Sequence, residues 1–303
     1  MRDRSKLTTE KRNSRTRGLD RLGTLGIVDA LNAEDARVAA AVHRQRRQIA
    51  AAVEIIVERL RRGGRLIYVG AGTSGRLGVL DAAECPPTFG VPRTMVQGII
   101  AGGRRALVRS AEGCEDVAQA GAAAVEKKRI GPRDTVCGIA ACGVTPFVLG
   151  AIARAGERGA ATLFVTCSPQ VRRQVRADVV ICPVVGPEAL TGSTRMKAGT
   201  ATKLVLNTLT TAAMVRLGKV YENLMVDLRA TNVKLRDRAE RIVCAAAAVR
   251  RARARTLLEK SHGQAKTAIL MHACRLDFEQ ARRRLKAAAG SLRQAMALRD
   301  GRG

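Results

Sequence analysis

The stretch Leu66–Gly90, LIYVGAGTSGRLGVLDAAECPPTFG, constrains the fold more than any other part of the chain. Leu66, Ile67, Tyr68 and Val69 read as a short buried strand. Gly70, Gly72 and Gly75 let the backbone turn tightly and approach a ligand closely. Thr73 and Ser74 offer hydroxyls where a helix is expected to begin, near Gly75. The free N–H groups and positive dipole end of such a helix suit an anion. Glu84 follows about two and a half turns later. A phosphorylated small molecule is the ligand this arrangement suggests. The alternative is a glycine-rich turn needed only for packing a strand against a helix.

The spacing excludes two better-known phosphate motifs. Gly70 and Gly72 fit the first two positions of the dinucleotide G-x-G-x-x-G pattern, but no glycine stands at the sixth. No Gly-Lys-Ser/Thr follows, so the P-loop pattern fails as well.

Along the chain, residues 1–31 read as an arm with little periodicity. Asn32 is expected to cap a long helix running to about Arg62, with Asp35 at the third position. Gly63 and Gly64 end it. Strands are expected at Leu66–Val69, Met95–Ile100, Thr135–Ala141, Thr162–Thr166 and Val179–Val184. Helical patterns fall at Gly75–Ala83, Arg104–Glu112, Pro146–Arg158 and Lys197–Leu217. This alternation predicts an α/β fold with a mainly parallel sheet and right-handed crossovers. Ligands of such sheets bind beyond the carboxyl ends of the strands. Both Gly70–Ser74 and Ala141–Thr145 lie there. From about Ala230 the chain is Ala-, Arg- and Leu-rich, with three or four helices expected and breaks near Ser261–Gly263 and Gly290. The expected domains are therefore 1–229, carrying the arm, leading helix and sheet, and a helical region over 230–303.

Composition narrows the class. With 303 residues and 46% hydrophobic residues, the chain has length and apolar content for a real core. No apolar run approaches a membrane span, and the charged N-terminus is not a secretory signal. Eight cysteines without a C-x-x-C pair read as reduced thiols of a cytoplasmic protein. His43, His262 and His272 are scattered, so no metal site is expected. The formal net charge is +28, from 54 Lys+Arg against 26 Asp+Glu. Only 2% of residues are aromatic, leaving little to stack on bases. The charge reads as an arginine-rich exterior, with nonspecific nucleic-acid binding at low salt but no specific nucleic-acid partner.

Several long blocks resemble one family. They are LTTEKRN at Leu7–Asn13, GRLIYVGAGTSGRLGVLDAAECPPTFGVP at Gly64–Pro92, IAGG at Ile100–Gly103 and EGCED at Glu112–Asp116. TPF at Thr145–Phe147, VVGPEALTGSTRMKAGTATK at Val184–Lys203 and NLMVDLRATNVKL at Asn223–Leu235 continue the match. GQAKTAI at Gly263–Ile269 and GSLRQAM at Gly290–Met296 look like the family's helical tail. Over roughly residues 5–300 the chain resembles the N-acetylmuramic acid 6-phosphate etherases, enzymes of the sugar-isomerase (SIS) class. The resemblance implies a SIS-type three-layer fold, a parallel sheet flanked by helices, with a small all-helical C-terminal region. It implies a cytoplasmic homodimer of cell-wall sugar recycling that needs no metal or nucleotide cofactor. Such enzymes cleave the D-lactyl ether of N-acetylmuramate 6-phosphate to N-acetylglucosamine 6-phosphate and D-lactate.

That reaction calls for two carboxylates in different protonation states. The resemblance places them at Glu84 and Glu115. It makes Glu84 the acid and Glu115 the base at C2, with the reverse assignment open. It places the phosphate on Gly72, Thr73, Ser74 and Gly75, with Thr145 from the second loop. Ser193, Thr194 and Lys197 are further expected substrate contacts.

The second loop departs from the family's usual A-S-G-R-T-P. It reads Ala141-Cys142-Gly143-Val144-Thr145-Pro146. A thiol is a weak donor, so a phosphate contact at that position weakens by about 1.5–3 kcal/mol. Three other functions stay open: a non-catalytic sugar-phosphate-binding regulator, as in the related glucokinase regulatory protein, a sugar-phosphate isomerase, and a basic nucleic-acid binder. One-domain length and Glu84 argue against the regulator.

Overall fold

A computed structural model describes residues 5–109, 111–172, 174–228 and 233–298. The chain divides into two compact units, one of residues 1–83 and 94–210, the other of residues 84–93 and 211–303. The expected domain boundary at 229/230 lies outside the described residues, as does Ala230-Thr231-Asn232 of the NLMVDLRATNVKL block.

In the first unit, five parallel strands form the sheet: β1 (Leu66–Gly70), β2 (Val96–Ile100), β3 (Thr135–Ile139), β4 (Ala161–Val165) and β5 (Val179–Ile181). Their order is β2-β1-β3-β4-β5, with Leu66 level with Val96 on one side and Thr135 on the other. Every residue of β1, β3 and β4 is buried, which explains why these strands read as unbroken apolar runs. All five strands fall where the sequence places them, within a few residues at their ends.

Alternation assigns the two faces. Ile67, Val69, Val136 and Phe164 share a core with Phe147, Val148, Ala151, Ile152 and Val125. Those residues come from α5 (Ala118–Lys127) and α6 (Pro146–Glu157). Tyr68 faces the opposite way, and its hydroxyl donates to Asp81 at 2.9 Å. Asp81 stands on α4 (Gly72–Phe89) and also accepts from Asn207 and Thr210 of α7 (Lys197–Arg216). The sheet thus carries helices on both faces, and the expected three-layer α/β architecture is what the chain adopts.

Four expectations are corrected. Asn32 is not a cap, because it lies inside α1 (Thr24–Asp35). The single long leading helix is instead α1, α2 (Val38–His43) and α3 (Arg46–Arg61). An apolar stripe is absent from α1 because its one buried residue is Glu34. In place of the expected helix Arg104–Glu112, of which residue 110 lies outside the described residues, the chain forms a short 3-10 turn over Gly103–Leu107, and the helix of that crossover is α5. Its sequence, AQAGAAAVEK, lacks the contrast that marks a helix face. Its packing rests on small residues, since a Cβ on Gly121 would lie 1.9 Å from the Phe147 carbonyl oxygen of α6. Finally, α4 runs through Pro86 and Pro87 instead of stopping near Ala83. Cys85 and Phe89, both buried and one turn apart, anchor that last stretch.

In the second unit, α8 (Val233–Ala247), α9 (Arg251–Lys260), α10 (Ala265–Cys274), α11 (Phe278–Ala287) and α12 (Leu292–Ala297) follow. Among the described residues, five helices replace the expected three or four. They pack around Ile242, Val243, Leu257, Ile269, Leu270 and Leu292. Breaks occur at Ser261–Gln264 and Ala288–Ser291, where Gly263 and Gly290 stand in left-handed conformations. No disulfide links any of the eight cysteines. Burial pushes the Cys137 and Cys167 thiols up, and that of Cys182 to about 11, so these three are poor nucleophiles. Among the described residues no helix is long and apolar enough to cross a membrane.

Candidate active site

The strand order reverses at β1: the chain steps to β2 on one side, then returns to β3 on the other. Loops leaving adjacent strands in opposite directions open a crevice at their carboxyl ends. A cavity of about 230 Å³ occupies this position. Its walls are the turn after β1 (Ala71–Ser74), the end of β3 and its loop (Ile139–Cys142, Val144–Pro146), the Glu115–Asp116 turn, and Thr194, Gly199 and Thr202.

Local geometry explains each wall. Gly72 opens α4 directly after β1, so Thr73 and Ser74 sit in its first turn among N–H groups that lack intrahelical partners. Gly75 is needed for closeness: a Cβ there would meet Ile100 at 2.6 Å and the Gly70 carbonyl oxygen at 2.9 Å. On the second loop, Gly143 adopts φ +80°, and a Cβ would lie 2.0 Å from Val171. Its N–H donates to the Ala140 carbonyl at 2.9 Å, closing the turn that presents Cys142 and Thr145. Thr145 precedes Pro146, which opens α6 with a ring suited to the first helical position. Two helix N-termini, those of α4 and α6, therefore flank one cavity.

Glu115 is exposed and lines this cavity. Its carbonyl accepts the Phe147 N–H at 3.0 Å, so the turn that carries it is fixed to the first turn of α6. Glu112 is not among the lining residues.

The cavity thus brings together Gly72, Thr73, Ser74, Glu115, Thr145 and Thr194. Gly75 lies buried behind the turn, and Ser193 precedes the lining residue Thr194. Glu84 stands exposed on α4 and belongs to the second unit. Lys197 is placed otherwise than the substrate contact expected of it. Its side chain is 1% exposed and pairs with Glu34, because the carboxylate buried on α1 needs a cation close by. Asp116, Gly199 and Thr202 line the cavity without having been singled out in the sequence. Their signal was present, since Asp116 ends the EGCED block and Gly199 and Thr202 stand in KAGTATK. Among the described residues no group of three or more His, Cys, Asp or Glu side chains is arranged to hold a metal.

The chain is similar to proteins of known family. The family description "Glucokinase regulatory protein N-terminal SIS domain" matches residues 48–155. N-acetylmuramic acid 6-phosphate etherase 2 of Vibrio cholerae serotype O1 is 53% identical over 292 residues, 96% of this chain and 95% of that protein. The N-acetylmuramic acid 6-phosphate etherase of Erwinia tasmaniensis is 51% identical over 294 residues, 97% and 96% of the two chains. That of Salinibacter ruber is 53% identical over 291 residues, 96% and 94%. A putative phosphosugar isomerase involved in capsule formation from Bacteroides fragilis superposes with a TM-score of 0.49 at 19% identity, covering 66% of this chain and 95% of that one. With half its residues identical to these relatives across nearly its whole length, the chain belongs to the N-acetylmuramic acid 6-phosphate etherase family.

Proposed function

We propose that this protein is a carbon–oxygen lyase that removes the D-lactyl ether from N-acetylmuramate 6-phosphate, giving N-acetylglucosamine 6-phosphate and D-lactate. One observation carries the assignment of the site: a single cavity joins two helix N-termini, the hydroxyl side chains of Thr73, Ser74, Thr145, Thr194 and Thr202, and the carboxylates of Glu115 and Asp116. The N-termini and the hydroxyls of Thr73, Ser74 and Thr145 suit a phosphate. Thr194 approaches from a third wall, and Ser193 stands beside it. Gly72 and Gly75 keep the backbone close to the anion.

The chemistry follows from the poor leaving group. With the sugar ring open, the aldehyde at C1 makes the C2 proton acidic. Glu115 accepts that proton. The C2–H electrons form a C2=C3 double bond as the C3–O bond breaks. Glu84, as the acid, gives its proton to the departing lactate oxygen. Water then adds across the double bond, oxygen to C3 and hydrogen to C2, so the lost proton is restored. Neither step needs a redox change. We further read the protein as cytoplasmic and homodimeric, acting in amino-sugar catabolism and cell-wall recycling, with no specific nucleic-acid partner.

The test is product identity. Wild type incubated with N-acetylmuramate 6-phosphate is expected to release D-lactate and N-acetylglucosamine 6-phosphate in equal amounts, and Glu84→Ala is expected to release almost none. Binding of the sugar phosphate without lactate would instead indicate a regulator, and a new sugar phosphate without lactate an isomerase.

A further inference from the structure

The third wall of the cavity is anchored from behind by charges that do not line it. Lys197, the first residue of α7, sends its ammonium into the core, where it donates to Glu34 and to the Val185 carbonyl at 3.1 Å. Glu34 is 2% exposed. Its carboxylate also accepts from Asn13 at 2.8 Å and from both the Nε and, at 2.9 Å, the Nη2 of Arg15. The same asparagine donates to the Pro187 carbonyl at 3.2 Å, and Thr16 donates to Ala189 at 2.8 Å.

A second buried carboxylate completes the anchor. Glu188 takes the Lys197 N–H at 3.0 Å and the Ala198 N–H at 2.9 Å, one on each oxygen. These are the first two N–H groups of α7, which lack helical partners of their own. The start of α7 is therefore fixed twice, by its backbone to Glu188 and by its first side chain to Glu34. Thr194 lies just before this point, and Gly199 and Thr202 just after it; all three line the cavity.

Buried ion pairs are weak sources of stability, because desolvation offsets most of the attraction. An apolar pair of similar volume would hold α1 against α7 as well. What the charged pair adds is register: an ammonium held between a carboxylate and a backbone carbonyl tolerates little rotation or sliding of its helix. We propose that Glu34 and Lys197 are positioning residues, whose ion pair sets where Thr194 and the first turns of α7 stand against the bound sugar phosphate. This rests on the etherase reading of the cavity.

The test compares Glu34→Gln, Lys197→Met and the double variant. Three quantities are read: KM and kcat for D-lactate release, the Kd for N-acetylglucosamine 6-phosphate by calorimetry, and the thermal midpoint. The Kd needs no turnover, so it reports on positioning even if the wild type released no lactate and the etherase reading failed. Each single variant is expected to raise KM and product Kd about tenfold or more, since small misplacements near reacting groups have large effects. The double variant is expected to recover part of that loss, because it no longer buries a lone charge. Adding Thr194→Val to Lys197→Met is expected to cost less than Thr194→Val costs alone. If Lys197→Met does not fold, Lys197→Arg and the double variant supply the same comparison. The proposal is overturned if thermal midpoints fall while KM, kcat and Kd stay within twofold. It is also overturned if Lys197→Met loses affinity while Glu34→Gln keeps it, for Lys197 would then act as a ligand by itself.

Discussion

The Phe147 amide donates to the Glu115 carbonyl at 3.0 Å, tying the turn that bears the proposed base to the first turn of α6. That bond is made by backbone, so the side chain of Glu115 is left for chemistry. The same helix opens on Pro146 directly after Thr145, and both residues belong to the cavity wall. Base and phosphate hydroxyl are therefore referenced to one rigid element.

Replacing Glu115 by glutamine removes proton acceptance while keeping shape. Positioned acid–base groups typically contribute about 10²–10⁴ in rate. Glu115→Gln should lower kcat by that range and leave the Kd for N-acetylglucosamine 6-phosphate within a fewfold. A normal kcat would remove Glu115 from the mechanism.

Cys142 lines the cavity, at the position where the family pattern implied by the sequence resemblance has a serine hydroxyl. Restoring it supplies a better donor to an anion. Cys142→Ser is expected to tighten product binding about tenfold or more, in line with about 1.5–3 kcal/mol for a hydrogen bond to a charged group. Calorimetry reads this directly. Unchanged affinity would mean that this position does not touch the phosphate.

Gly143 combines a left-handed backbone with contact from Val171. An alanine there incurs roughly 1–2 kcal/mol of backbone strain and about 1–3 kcal/mol of overpacking. Urea denaturation of Gly143→Ala should show a loss of at least about 2 kcal/mol. A loss below half of that would show that the loop relaxes freely.

Glu34 provides a pH signature. The Arg15 guanidinium, bonded to it, is the main influence holding its carboxyl at about 2, against burial and aided by Lys197 and Asn13. Arg37 stands at 3.9 Å on the same carboxylate. A depressed acid stabilises the fold above its unfolded value and loses that contribution as pH falls through the folded one. The window therefore runs from about 4.5 down to about 2. Glu188 acts in the opposite sense, since burial raises its pKa. The stability difference between wild type and Glu34→Gln should shrink as pH falls across that window. A constant difference would contradict the ion-pair account.

How much of this was legible in the sequence depends on what kind of force shaped each part. The strands were readable because β1, β3 and β4 are buried on both faces and so are apolar throughout. The glycine turn before α4 was readable because only small residues permit its close approach to Gly70 and Ile100. The helix α5 was not, because alanine and glycine packed closely on α6 leave no periodic stripe. Nor was the inward turn of Lys197: its partner Glu34 is far away in sequence, and no local pattern records a long-range ion pair. The block KAGTATK marks Gly199 and Thr202 as candidates, but which face of α7 they present is set by how that pair and Glu188 orient the helix.

The most direct test of the central claim follows the atoms. Wild-type turnover of N-acetylmuramate 6-phosphate in D₂O, and separately in water enriched in oxygen-18, should place deuterium at C2 and the heavy oxygen on C3 of the product sugar. The D-lactate should keep the original ether oxygen and carry neither label. Heavy oxygen in the lactate, with no deuterium at C2 of the sugar, would contradict elimination and hydration and with it the roles given to Glu84 and Glu115.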